Sequence, residues 1–435
     1  MKKVLVVIGK VLAWFGFILA EFILILFNGA LWIRLDPPAS AILTMPKLMY
    51  PNIANKAVWV YGIVLLAVLL PTILRRLKKL EIKRLHARKL IFISTLTLVL
   101  INSMVFIELI KNTKVEYTFE TTFQTMAAAV NSSTTVKKTV TDLSDRTDLF
   151  GEKPLVFKLY LPDNSKKPRD IVIYLAYGNW LAVDEKTADY LIAPLLENDY
   201  GVGVLTGQTR RETDFVGIIK DIRMKVAYLR SHAEEYGIRR IILTGGSAGA
   251  NIALTTALAY SCTQYDVQGR DPALFKVDGV IAFYPVVDMV YNYYYFTAKN
   301  PGEEGALDRL GDTIFSSQDV NKAKSIYESH QKVMNNLLGG FPDDPALKEA
   351  YRISSPTYLI NSSSPPVLLI QGAHDSMTPI EPTREMFNKY EEMHLSAAIL
   401  ELPDTDHAFD VVFPEGSVIK QKVTESILSW LKALK

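Results

Sequence analysis

The sequence has little of what would suggest metal or redox chemistry. It holds one cysteine, Cys262, in 435 residues, which excludes an intrachain disulfide and any cysteine-based metal cluster. It has no HExxH helix, no phosphate loop and no GxGxxG run, so no pattern in it calls for zinc, a nucleotide or a dinucleotide. No metal and no cofactor is expected. Histidine is also scarce, at six residues, and a search for a catalytic base is correspondingly short. No internal repeat and no long low-complexity run is present.

Net charge is almost absent, but only as a sum. Residues 1–110 carry 14 Lys and Arg against 4 Asp and Glu, which leaves 34 against 42 for residues 111–435. The chain is therefore a basic part followed by an acidic one. An acidic body offers no footprint for nucleic acid.

The basic part contains three long apolar runs, about 11–33, 57–74 and 90–110. Each approaches the roughly 20 residues needed to cross a bilayer as a helix. The first run is longer than the apolar stretch of a signal peptide, and no small-x-small site follows it cleanly. The expectation is an uncleaved three-span anchor, residues 1–110, in contact with the lipid bilayer. Between spans two and three lies RRLKKLEIKRLHARK, residues 75–89, with eight Lys and Arg and one Glu. Basic short loops stay on the cytoplasmic side, and a basic helix lying on anionic lipid would be on that side too. Three spans then place residues 111–435 outside. Glu21, within the first span, reads first as a packing partner for a neighbouring span, such as one bearing Asn102.

After residue 150 the pattern alternates strand and helix, which predicts a mostly parallel sheet with helices on both faces. Strands are expected at 154–162, 170–178, 201–207, 239–246, 277–288, 365–375 and at the start of 397–410. Between 289 and 352 the alternation stops, and this tyrosine-rich stretch reads as an insertion over the strand ends.

One stretch stands out, LTGGSAGANIAL from Leu243 to Leu254. Two readings fit it. The glycines could only permit a tight turn, or Ser247 could sit on a strained strand-to-helix turn with its hydroxyl exposed. A serine hydroxyl needs a base within hydrogen-bond reach. Of the histidines, only His407 falls in a loop after the last strand. The imidazole in turn needs an acid to fix its tautomer. Asp375, at the end of a buried strand, is the first choice and Asp288 the second, while Asp404 and Asp406 are too close in sequence to His407.

These residues carry a resemblance. GGSAGANIAL is similar to the GxSAGGxLA elbow of the α/β-hydrolase superfamily, in the esterase and lipase branch near the hormone-sensitive-lipase and feruloyl-esterase-like families. YPVVD, LLGG, ISSPTYLI, PPVLLIQGAHDSMTP and DHAF follow in family order, and the match runs over about 150–435. It implies an α/β-hydrolase fold with Ser247, His407 and Asp375 as catalytic residues. It also implies an oxyanion hole built from the Ala248 amide and the amides of Gly178 and Asn179. The chain departs from the family at Ala176-Tyr177-Gly178-Asn179-Trp180, where the family carries an HGGGW-like run. Tyr177 and Trp180, with Tyr293 and Tyr294 of the insertion, are the candidate substrate-binding side chains.

The function expected is a membrane-anchored serine carboxylesterase acting on esters of the envelope, either acetylated glycans or acyl and aminoacyl lipids. A serine peptidase of the same fold and a non-catalytic scaffold are the alternatives. Whether the spans also bind a protein partner is not set by the sequence.

Overall fold

The computed structural model describes residues 114–117, 138–144, 156–163, 168–206, 214–297, 332–373, 375, 377–402, 405, 407–410 and 418–434. The three apolar runs, Glu21 and the loop 75–89 lie outside these, as do His86, His330, His374, Asp404 and Asp406. Among the described residues no helix is long and apolar enough to cross a membrane.

Among the described residues eleven strands can be followed: β1 Lys114–Tyr117, β2 Lys138–Asp142, β3 Phe157–Pro162, β4 Arg169–Leu175, β5 Tyr177–Gly178, β6 Leu181–Ala182, β7 Gly201–Leu205, β8 Ile238–Gly246, β9 Gly279–Phe283, β10 Val367–Gly372 and β11 Ala397–Leu402. The longer helices among them are α1 Asp189–Glu197, α2 Phe215–Ser231, α3 Ala248–Leu258, α4 Met289–Thr297, α5 Ile380–Glu392 and α6 Val418–Ala433. Nine strands form one sheet in the order β1-β11-β10-β9-β8-β4-β7-β3-β2. Its middle, from β11 to β7, is parallel. β3, β2 and β1 join antiparallel at the two sides. β5 and β6 form a separate hairpin.

The near-continuous apolar run of β4 shows why the strand is central. All seven of its residues are buried. Successive side chains of a strand point to opposite faces. Ile171, Ile173 and Leu175 enter one core, with α2, α3 and α5 residues such as Ile219, Ile252 and Met386. Val172, Tyr174 and Ala176 enter the other, with Leu195 of α1 and Trp430 of α6. A strand with apolar residues at both parities can only be stable between two layers. At its start, the buried Asp170 carboxylate accepts from Arg239 and Arg240 of β8. Burial would push this acid's pKa up, but hydrogen bonds from the two guanidinium groups hold it below its ordinary value.

The expected strands are all found, mostly trimmed at their ends. The run 170–178 is broken: β4 stops at Leu175, and Tyr177 begins the β5–β6 hairpin. The expected insertion is described at 289–297 and 332–352. Asn292 of α4 donates through Nδ2 to the Met377 carbonyl at 3.1 Å. That bond lays the start of the insertion against the loop following β10.

Candidate active site

Parallel strands deliver their carboxyl ends to one edge of the sheet, and three of them meet here. β8 ends at Gly246, and Ser247 follows with φ 54° and ψ −118° before α3 begins at Ala248. Left-handed φ in a residue with a Cβ costs on the order of 1–3 kcal/mol and persists only where the surroundings hold it. The Ser247 N–H donates to the Phe283 carbonyl at the end of β9 (2.9 Å), and its own carbonyl accepts from Asn251 N–H at 3.0 Å.

The glycines of this motif serve close approach rather than backbone freedom. The positive φ belongs to Ser247, not to Gly245, Gly246 or Gly249. A Cβ on Gly249 would lie 2.5 Å from the Leu175 carbonyl oxygen, and one on Gly245 would lie 2.8 Å from the Gly249 carbonyl carbon. These neighbours are backbone and cannot swing away. Gly249→Ala is therefore expected to cost roughly 1–3 kcal/mol by overpacking and to displace the turn that carries Ser247. Thermal unfolding and turnover measured together check this, and an unchanged melting temperature would contradict the packing account.

His407 lies beyond β11 and is partly exposed. Its Nε2 is 3.1 Å from Ser247 Oγ. Its Nδ1 lies 3.0 Å and 3.2 Å from the two oxygens of Asp375. A carboxylate only accepts, so Nδ1 carries the proton and Nε2 is left as the acceptor facing the serine. Asp375, 1% exposed, is fixed from several sides. It accepts from the backbone N–H groups of Met377 (2.8 Å) and Thr378 (2.7 Å). It also accepts from Gln371 Nε2 and Thr378 Oγ1, each at 2.9 Å. A carboxylate held by two backbone amides and the Gln371 amide, with the Thr378 hydroxyl proton shared between it and the Tyr284 carbonyl, has one orientation, and the imidazole takes its own from it.

Asp288, the second-choice acid, is occupied elsewhere. It accepts from the Tyr291 N–H, in the manner of a helix cap, and from the Tyr358 hydroxyl. His232 caps the end of α2 and stacks on Tyr228. His394 follows α5.

The oxyanion candidates come from two elements. Ala248 is the first residue of α3, where N–H groups point outward and the helix dipole favours negative charge. Gly178 and Asn179 belong to the β5–β6 hairpin, which packs on α3. Its two-residue turn, Asn179-Trp180, has φ 49° and 56°, the signs a type I′ hairpin turn requires. Tryptophan is an unusual residue there. Its indole Nε1 donates to Asn251 Oδ1 at 3.0 Å, and the Asn251 amide donates to the Val286 and Ser354 carbonyls.

Tyr177 and Trp180, the candidate substrate-binding side chains of the hairpin, are buried. Both lie in the hydrophobic core, at 4% and 3% exposure, because the hairpin turns their side chains toward α3 and α2. Tyr293 is also in the core, edge-on to Tyr294, Phe341 and Tyr351. Its aromatic neighbours come from the insertion itself. Tyr294 is half-buried and its hydroxyl donates to Asp343. Among the described residues no cluster of His, Cys, Asp and Glu has the arrangement of a metal site.

Sequence reasoning did not single out Thr378, Gln371 or Asn251. Thr378 stands three residues after Asp375, the spacing at which an acid accepts from a following backbone N–H. Asn251 stands one helical turn after Ser247, a polar side chain in the first half of a helix whose other residues there are Ala, Gly and Ile.

The sequence model of the BD-FAE family matches residues 157–390. Esterase LipC of Mycobacterium tuberculosis is 22% identical over 277 residues, covering 61% of this chain and 59% of that protein. The probable carboxylic ester hydrolase LipM of the same organism is 26% identical over 199 residues, 45% of this chain and 38% of that protein. The chain thus spans about two fifths to three fifths of the length of these relatives. In fold it is similar to the acetyl ester-xyloside bifunctional hydrolase of Caldicellulosiruptor lactoaceticus, with a TM-score of 0.50 at 16% identity over 69% of this chain and 98% of that one. The sheet order with its helices on both faces is that of an α/β-hydrolase, the match takes in more than half of the residues, and the chain belongs to the BD-FAE family.

Proposed function

We propose that the protein is a serine hydrolase of carboxylic esters, with Ser247 as nucleophile, His407 as base and Asp375 as the acid that orients it. One observation carries this reading: Ser247 Oγ, His407 Nε2, His407 Nδ1 and Asp375 form an unbroken hydrogen-bonded line of 3.1 and 3.0 Å at the carboxyl ends of three strands. The names of the relatives, esterase and carboxylic ester hydrolase, support the same reaction class.

The chemistry follows from the arrangement. Ser247 Oγ attacks the ester carbonyl carbon as its proton passes to His407 Nε2. The carbonyl π pair moves onto oxygen, and the Ala248 amide with the hairpin amides of Gly178 and Asn179 donates to that oxyanion. The tetrahedral intermediate expels the alcohol oxygen, which takes the proton from His407. Water then attacks the acyl-serine with His407 again as base, releasing the acid and restoring Ser247. Hydrolysis of p-nitrophenyl esters of increasing acyl length by the full-length protein tests this. Turnover of acetyl or longer esters is expected, and its absence across the series would overturn the reading.

The site is further proposed to work at the outer face of a membrane, on acetylated glycans or on acyl and aminoacyl lipids. Three apolar runs of spanning length and the basic loop 75–89 support this. The chain length adds to it. The third run closes at Ile110 and β1 opens at Lys114, a separation of at most about 14 Å of extended chain. β1 pairs with β11, after which His407 follows. An accessibility scan on intact cells should find positions near Asn131 reachable from outside and positions near His86 protected. The reverse pattern would put the site on the inner face.

A further inference from the structure

A second buried carboxylate lies beside the base, and the reaction as written does not use it. Asp410, three residues after His407, is 2% exposed. Its Oδ2 accepts from the Tyr190 hydroxyl of α1 at 2.6 Å, and its Oδ1 accepts from the Tyr284 hydroxyl. Burial holds this carboxyl above its ordinary value, while hydrogen bonds from the two phenols and the neighbouring His407 work against the rise. A buried acid is expensive to keep, yet this one has a donor on each oxygen.

Tyr284 links that acid to the reacting groups. Its ring stands edge-on to the His407 imidazole, with centroids 4.6 Å apart. Its hydroxyl lies directly over Gly246, the residue before the nucleophile, where a Cβ would collide with it. Its N–H donates to the Ile370 carbonyl at 2.7 Å, and its carbonyl accepts from Thr378 Oγ1 at 3.0 Å. It holds this position at φ 36°. One residue thus touches the elbow, the base, the end of β10 and the threonine that binds Asp375.

We propose that Asp410 and Tyr284 are a positioning pair for His407. The pair pins the loop of the base against the elbow, and the Asp410 charge favours the imidazolium formed when Ser247 loses its proton. The role in turnover rests on the esterase reading, whereas the effect on the imidazole does not.

The test reads the imidazole directly, in the full-length protein labelled with ¹³C at histidine Cε1. The His407 signal is assigned by its loss in His407→Gln, and its titration is followed by NMR. Among the described residues, charged and titratable groups around the pair and the base include Asp375, Tyr174, Tyr190 and Tyr284, and all remain in Asp410→Asn. Removing the Asp410 charge should make His407 titrate at lower pH, by roughly 0.5–1.5 pH units for a charge one aromatic ring away in a partly screened site. Tyr284→Phe keeps the ring and its packing but removes one donor. Asp410 then ionises less readily, and His407 moves the same way by a smaller amount. This second variant carries the test if Asp410→Asn does not fold. A purely structural role would lower the melting temperature and leave the titration where it was. An unchanged titration in the folded variants overturns the proposal, whether or not the wild-type protein hydrolyses an ester.

Discussion

Ser247→Ala is expected to leave a folded protein with ester turnover lowered about 10⁴-fold or more, the scale for losing a member of a serine triad. The substitution removes only Oγ. The Ser247 side chain makes no capping hydrogen bond to α3, so the helix loses no cap. Alanine at φ 54° bears much the same strain as serine, and both backbone bonds of the residue are kept. Stability should therefore change little while the nucleophile disappears. Circular dichroism and kcat/KM on one preparation check both halves. A variant that keeps a tenth of the wild-type rate would contradict the serine mechanism.

Asp375→Asn should be nearly as damaging to turnover, by about 10³–10⁴-fold, for a different reason. The amide oxygen can still accept from the Met377 and Thr378 N–H groups. The amide nitrogen then stands where Gln371 Nε2, Thr378 Oγ1 and His407 Nδ1 now converge. Three groups that met an acceptor would meet a donor. His407 can satisfy that donor only by losing its Nδ1 proton, which puts the proton on Nε2, facing Ser247. In that tautomer the imidazole cannot take the serine proton. Mismatched buried groups should also lower stability, by roughly 1–3 kcal/mol. Asp288→Asn should leave turnover close to wild type, because Asp288 binds Tyr291 and Tyr358 and has no contact with His407. If Asp288→Asn were crippling and Asp375→Asn silent, the assignment of the acid would be reversed.

The fold was largely legible because its strands are buried on both faces and so appear as unbroken apolar runs between turn residues. β4 and β10 are the clearest cases, with every residue buried. Their ends were less legible. The run 170–178 looks like a single strand, but its last residues turn out into the β5–β6 hairpin, and nothing in the apolar pattern marks the change. Ser247, His407 and Asp375 were singled out from their places at strand ends, and the fold brings these three side chains within hydrogen-bond reach of one another. What pattern could not supply was side-chain direction within short irregular segments. Tyr177, Trp180 and Tyr293 read as pocket residues because aromatic groups near strand ends often are. The hairpin and α4 bury them, with Trp180 on Asn251 and Tyr293 against Phe341 and Tyr351. Asp410 was invisible for a related reason. Its two partners, Tyr190 and Tyr284, lie 220 and 126 residues away in sequence.

Reaction of the full-length protein with a fluorophosphonate, followed by peptide mapping, tests the central claim most directly, because only a serine with a working base attacks the phosphorus readily. The expected result is a single adduct on Ser247, lost in Ser247→Ala and strongly slowed in His407→Ala. Absence of any adduct on Ser247 in the folded wild-type protein, or equal labelling of the His407 variant, would contradict it.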